Sequence, residues 1–308
     1  MKNTSILKGL IIGGLFASLI VPFITISDLY FPFITGKAYA FRFLMEVIFG
    51  LWLVLAIFDK EYRPKKTFTL ISFIVFLVVM FFANLQGLNP SYSFWSNYER
   101  MEGYVTLVHV FAYFVVLSSV FNTKKIWNVF LNSLVVSSVI QAFYSFMQAG
   151  GQLDVGMTIG RVDGTLGNAT YLAGFMLLSA FITIYLWMNN RSKSEFSGLL
   201  HLFYGIAILM QSITIFLTAT RGAMLGLALG IFAGLVVFLI LEPKRKILRY
   251  SLLGFVVLTG LVTVLIFNYK DSNFVQNTVA LKRISEISMG GGTVQARFIN
   301  WGIAFDAF

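Results

Sequence analysis

LLHLFYGIAILMQSITIFLTATRGAMLGLALGIFAGLVVFLIL, Leu199 to Leu241, decides the fold. A helix rises about 1.5 Å per residue and a bilayer core is roughly 30 Å thick, so this run is about twice the length of one crossing. It must fold back on itself, and Thr220-Arg221-Gly222 is the only polar break available. A helical hairpin with an arginine at its tip follows, beside small residues (Gly222, Ala223, Gly226) that permit close helix packing. An arginine there costs several kcal/mol unless it is solvated, paired or bound to an anion.

The rest of the chain has the same character. Its 308 residues are 58% hydrophobic and only 12% charged, with a mean hydropathy of +0.82, more apolar surface than a soluble core can hide. The chain therefore reads as an all-α, polytopic transmembrane helical bundle of about nine spans. They run approximately from Leu7 to Ile26, Tyr39 to Phe58, Phe68 to Leu85, Val105 to Phe121, Ile126 to Met147, Thr170 to Trp187, Leu199 to Ala219, Ala223 to Leu241 and Tyr250 to Phe267. Residues 1–268 form the transmembrane domain, and 269–308 begin a large extracytoplasmic loop. Lys2 and Lys8 precede the first apolar run as in a signal peptide, but Ala38-Tyr39-Ala40 lies too far beyond it for cleavage, so the first span stays attached.

The net charge of +10 comes in short clusters between spans and reads as a topology signal rather than a nucleic-acid surface. Lys2 and Lys8, then Lys60 to Lys66, Lys124 and Lys125, Arg191 and Lys193, and Lys244 to Arg249 alternate along the chain so that all fall on one side. The positive-inside rule makes that side, and the N-terminus, cytoplasmic. The loops around Asp28, Gly87 to Gly103, Gly150 to Asn168 and Arg221, and everything after Asn268, then face outward. The cations flanking the membrane there are chiefly arginines: Arg42, Arg100, Arg161, Arg221, Arg283 and Arg297. A guanidinium makes planar, bidentate bonds to phosphate and resists deprotonation, whereas lysine suits a general attraction to anionic headgroups. Each could instead snorkel or pair with an acid such as Glu99, Glu102 or Asp163.

Three outward stretches are candidates for chemistry. The first is Tyr98 to Gly103, YERMEG, and the second is Gly160 to Tyr171, GRVDGTLGNATY. In the second, Gly164 and Gly167 let the backbone approach a ligand or helix closely, and Asn168 caps the helix that follows, leaving its first amides as anion donors. The third is Thr218 to Ala223, TATRGA. The chain has no cysteine, which excludes disulfides, thiolate metal sites and cysteine nucleophiles. The outward carboxylates form no obvious metal pair, since Arg100 stands between Glu99 and Glu102. His109, inside the fourth span, and His201, at the cytoplasmic end of the seventh, read as satisfied histidines rather than catalytic bases. After the ninth span, Phe298, Trp301 and Phe305 fall at helical intervals, as in a helix on or beside the membrane surface. The chain stops at Phe308 with no polar terminus or capping signal, so a truncated protein is expected.

Taken together, GRVDGTLGN before one span, the TATRGA hairpin with its GLALG helix, and ARFINW in the outer region resemble the O-antigen ligase and O-antigen polymerase superfamily of bacterial membrane glycosyltransferases. The likeness covers most of Glu99 to Trp301; the first three spans resemble it only in topology. It implies a GT-C-like bundle in the bacterial cytoplasmic membrane, working without metal or cofactor on the outer face. The reaction implied is an inverting transfer of a glycan from an undecaprenyl diphosphate carrier to a glycan, lipid or protein acceptor, with no nucleic acid involved. Arg161 and Arg221 match the family's diphosphate ligands and are the catalytic candidates; Arg100, Glu102, Asn168, Gly222 and Arg297 are the substrate-binding ones. The family's acceptor-activating histidine is expected beyond Phe308, so the chain as given should bind lipid diphosphate but transfer little. A repeat-unit polymerase or protein O-oligosaccharyltransferase of the same superfamily fits equally well. A lipid or polysaccharide transporter or flippase is the reading from another class; it calls for charged or broken helices at mid-membrane, where only Glu46 and His109 are found.

Overall fold

A computed structural model describes residues 2–97, 102–156, 160–189, 197–242, 244, 246–286 and 292–306. They form helices with no strand among them. Eight helices are long and apolar enough to cross a membrane: Thr4–Phe23, Thr35–Phe58, Phe68–Gln86, Lys124–Ala149, Ala169–Asn189, Gly198–Leu217, Arg221–Leu241 and Arg249–Asn268. The remaining expected span is the apolar helix Tyr104–Val120, whose 17 residues sit at the short limit for a crossing. The chain is thus a polytopic helical membrane bundle. We label the helices α1 (Lys2–Ala17, continued by a 3₁₀ turn Ser18–Phe23), α2 (Thr35–Phe58), α3 (Phe68–Gln86), α4 (Pro90–Trp95), α5 (Tyr104–Val120), α6 (Lys124–Ala149), α7 (Ala169–Asn189), α8 (Ser197–Leu217), α9 (Arg221–Leu241), α10 (Lys246–Asn268), α11 (Asn273–Asn277), α12 (Val279–Ser285) and α13 (Gly292–Asp306).

Local chemistry sets several starts. Thr67 accepts from the amide of Leu70 ahead of α3, Thr123 from that of Ile126 ahead of α6, and Asn168 from that of Thr170 at 2.8 Å ahead of α7, each satisfying an amide that the helix leaves orphaned. Packing then divides the bundle in two. Ile11, Leu15, Met45, Ile48, Leu55, Val116 and Val120 lock α1, α2 and α5 together, with α3 beside α5. In the second half α6, α7 and α8 pack around Leu172, Met176 and Ile215 at one level and Val135, Leu186 and Tyr204 at another. Polar side chains join these helices from within: Gln211 donates to Ser138 at 2.7 Å, and Tyr204 to Asn132 at 2.7 Å, bonds that lipid cannot replace.

α9 lies against α7 through Gly226, where a methyl group would meet Leu177 at 3.0 Å, and Gly230, where it would strike the ring of Phe181. Gly222 has open space before it, which corrects the expectation that Gly222 and Gly226 act as a packing pair: Gly226 and Gly230 are that pair. The apolar stretch of α9 buries none of its residues and that of α10 about 6%, so both present their sides to lipid.

Among the described residues, three of the basic clusters, at Lys8, Lys60 to Lys66 and Lys124, meet at one end of the bundle. Lys8 donates to the Tyr62 hydroxyl, Asn122 to Glu61, and Lys124 to Asn189. The opposite end gathers the segment after α1, the Gly160–Tyr171 loop, the α8–α9 turn and α12, which touches α8, α9 and α10. α13 follows, exposed along its described length, with Phe298 edge-on to Trp301.

Candidate functional site

The Gly160–Tyr171 loop is held from below by α6. Gln141 and Gln148 lie two turns apart on one face of that helix, fully buried and 6% exposed respectively. Gln148 donates to the Asp163 carboxylate at 3.0 Å and to the carbonyl of Asp154, and accepts from the amides of Asp163 and Gly164. Gln141 donates to the Thr165 hydroxyl and accepts from the Thr165 amide. Thr165 in turn donates to the carbonyl of Pro22 at 2.7 Å, and Lys37 donates to the carbonyl of Thr165. Asp163 also receives the Gly156 amide at 3.0 Å. Buried polar groups arranged in this way are costly unless satisfied and rigid when they are. Gly167 completes the fold of the loop: its φ of +66° is left-handed, and any Cβ there would run into Phe33.

So anchored, the loop sends Arg161 across to the α8–α9 turn. Its Nε donates to the Thr218 carbonyl at 2.7 Å and its Nη2 to the Thr220 hydroxyl at 2.8 Å; among the described residues it makes no ion pair with Asp163. That turn is strained, with the buried Ala219 at φ +48°, a conformation costing roughly 1–2 kcal/mol outside glycine. Thr220 spends its hydroxyl on Arg161 and does not cap α9. The positive end of α9 is therefore left open, at the residue where Arg221 begins it.

These elements enclose a pocket of about 390 Å³ lined by Arg161, Arg221, Arg283 and Arg297, with Thr170, Gly174, Leu177, Thr220, Gly222 and Ala223. Four guanidinium groups from a loop, a hairpin tip, α12 and α13 thus converge on one space. Arg221 reaches the partly exposed Glu286 at 3.4 Å. Nε of Arg221 and Nε of Arg283 are buried without a hydrogen-bond partner, and buried donors left unsatisfied cost about 1–3 kcal/mol each. Burial, and after it the charge of Arg283, push the Arg161 guanidinium below its ordinary pKa. Such crowding of like charge is what an anion relieves.

The chain matches no protein-family model, no curated protein and no solved structure.

Of the expected site residues, Arg161, Arg221, Gly222 and Arg297 come together in this pocket, joined by Arg283. Arg100, with Glu99, lies outside the described residues. Asn168 is spent capping α7 and does not line the pocket. Glu102 belongs to a second cavity of about 260 Å³, with Lys37, Arg42, Phe33, Phe41 and Tyr171; Arg42 there is buried and donates to Thr106 at 3.1 Å. Thr170 faces the arginine pocket and Tyr171 the second cavity, so the two flank the first turn of α7. His109 faces the Val105 carbonyl and, at 3.3 Å, Glu46 of α2; His201 accepts from Trp187 at 2.8 Å. Both histidines have partners within the fold. Among the described residues no three His, Asp or Glu side chains gather as a metal site would need.

Sequence reading singled out none of the glutamines. Their signal is an amide side chain repeated after seven residues inside an apolar span, which helical geometry puts on one face and the membrane turns inward.

Proposed function

We propose that this chain is an O-antigen ligase-like glycosyltransferase that moves a glycan from an undecaprenyl diphosphate carrier to an acceptor hydroxyl at the outer face of the bacterial cytoplasmic membrane. The observation that carries the reading is the pocket of four arginines at the N-terminal ends of α7 and α9. Two buried guanidinium donors there have no partner, and the uncapped start of α9 adds its dipole. That combination fits a diphosphate held at the bilayer surface.

In such a transfer the acceptor oxygen bonds to the anomeric carbon as the carbon–oxygen bond to the diphosphate breaks, and the bond's electron pair stays on phosphate. Displacement from the opposite side inverts the anomeric centre. Arginines fixed in advance stabilise the charge arriving on the leaving group, the task a divalent ion performs elsewhere. Arg161, pinned by Thr218 and Thr220, is held in place for this, and Arg221 offers its fork from the hairpin tip. On this reading the N-terminus and lysine-rich loops are cytoplasmic and the pocket extracytoplasmic.

The test is transfer from an undecaprenyl-diphosphate glycan by the gene product reconstituted in vesicles. Arg161→Lys and Arg221→Lys keep the charge and lose the planar fork; each should slow transfer about 10²- to 10³-fold, and a chelator should leave the rate unchanged. Near-normal turnover of the double variant would overturn the assignment. Movement of the lipid diphosphate between leaflets without transfer would give the pocket to a transporter instead.

A further inference from the structure

We infer that the arginine pocket is matched in charge to the diphosphate that the reaction releases rather than to the donor that it binds, so that the protein retains its own by-product. The inference rests on the transfer reading above and adds to it. Among the described residues, four guanidinium groups line the pocket and one carboxylate, Glu286, meets one of them, Arg221, leaving three positive charges. A glycosyl prenyl diphosphate is a diester and carries two negative charges. When the anomeric carbon–oxygen bond breaks, its electron pair becomes a third charge on the terminal phosphate, the acceptor oxygen takes the carbon, and the acceptor's proton goes to water. The released monoester is a trianion.

The geometry agrees with the count. Arg161 has two of its N–H groups tied to Thr218 and Thr220, whereas the buried Nε groups of Arg221 and Arg283 wait for an acceptor. A dianion leaves a cation uncompensated among them, and a trianion neutralises the set. Favouring the later charge state speeds the chemical step, because the transition state already carries part of that charge. The same preference slows release. Among the described residues, the charged groups that line or meet the pocket are Arg161 from the loop, Arg221 from α9, Arg283 from α12, Glu286 just after it and Arg297 from α13; α7 contributes Thr170, Gly174 and Leu177, which do not titrate. The ligand's own last phosphate ionisation lies at roughly pH 6, so the charge that separates monoester from diester appears as pH rises through that value.

The experiment measures binding to the protein in lipid nanodiscs by calorimetry, with farnesyl diphosphate as the monoester and its glucosyl diester as the donor mimic. The monoester should bind at least about tenfold more tightly at pH 8, with the difference vanishing by pH 5. Arg283→Gln and Arg297→Gln should each weaken the monoester more than the diester, while Arg63→Gln at the opposite end changes neither. Two variants keep the test alive if one fails to fold. Equal affinities at pH 8, or a preference indifferent to pH, would overturn the inference while leaving the transfer reading standing, provided both ligands still depend on Arg161. Tighter binding of inorganic diphosphate than of the farnesyl ester would overturn the assignment to a lipid. Binding of neither ester to protein of unchanged thermal stability would overturn both readings.

Discussion

Gln148 donates to the Asp163 carboxylate and accepts from two loop amides, and a carboxylate in its place could do only the second. Gln148→Glu therefore sets two acids together in a buried site, where like charges share one proton. Below the raised pKa of that pair, the protonated acid donates to Asp163 as the amide does now. As pH rises through that pKa the proton leaves and the stabilisation is lost. The variant should unfold near the wild-type temperature at pH 5 and clearly lower at pH 8, whereas Gln148→Ala should lose about 1–3 kcal/mol at both. A Gln148→Glu protein with no pH-dependent loss would show that the amide is not holding the loop through Asp163. The sequence displays its arginines readily, because a charge at the edge of an apolar run has to be accounted for. It hides Gln141 and Gln148, because an uncharged amide neither interrupts a span nor shifts its hydropathy enough to be noticed.

Among the elements, the α7–α9 contact depends on what α9 lacks. A methyl group at Gly230 would strike Phe181, while one at Gly234 would meet nothing. Gly230→Ala should cost about 1–3 kcal/mol from overpacking; Gly234→Ala should be neutral or stabilise by up to about 1 kcal/mol through helix propensity. Thermal unfolding of the two in detergent separates them, and equal behaviour would mean that α9 is not seated on α7 as described. Helices were the most legible part of the sequence, since each span is an apolar run of a length set by the bilayer. Their partners were not legible: the repeat Gly222, Gly226, Gly230, Gly234 offers four glycines one turn apart, and only the position of Phe181 and Leu177 on α7 decides which of them touch. The same holds for the arginines. The resemblance puts Arg161 and Arg221 on one diphosphate and groups Glu102 with them, but Glu102, just ahead of α5, lines the cavity on the other side of the first turn of α7.

For the whole molecule, the alternation of basic clusters gives a topology that can be checked cleanly because there is no native cysteine to react. Asp154 and Asn122 are both exposed, at opposite ends of α6. A cysteine at Asp154 should be labelled by an impermeant thiol reagent added to spheroplasts, and one at Asn122 only after lysis. The reverse pattern would turn the bundle over and take the pocket away from the outer face.

One wall of the arginine pocket is formed by Gly174 and Leu177 of α7 and Ala223 of α9, and among the described helices of membrane-spanning length α9 is the one that protein covers least. On the transfer reading proposed above, a carrier with a long prenyl chain comes to the arginines sideways, along a leaflet, with its tail never leaving the acyl chains. What the site senses is then a surface density, carriers per phospholipid, and not a quantity per litre. Adding phospholipid at fixed protein and carrier should slow transfer in proportion to the fall in carrier mole fraction, and diluting the same vesicles in buffer should leave the rate per protein unchanged. The opposite result would mean that the ligand arrives through water.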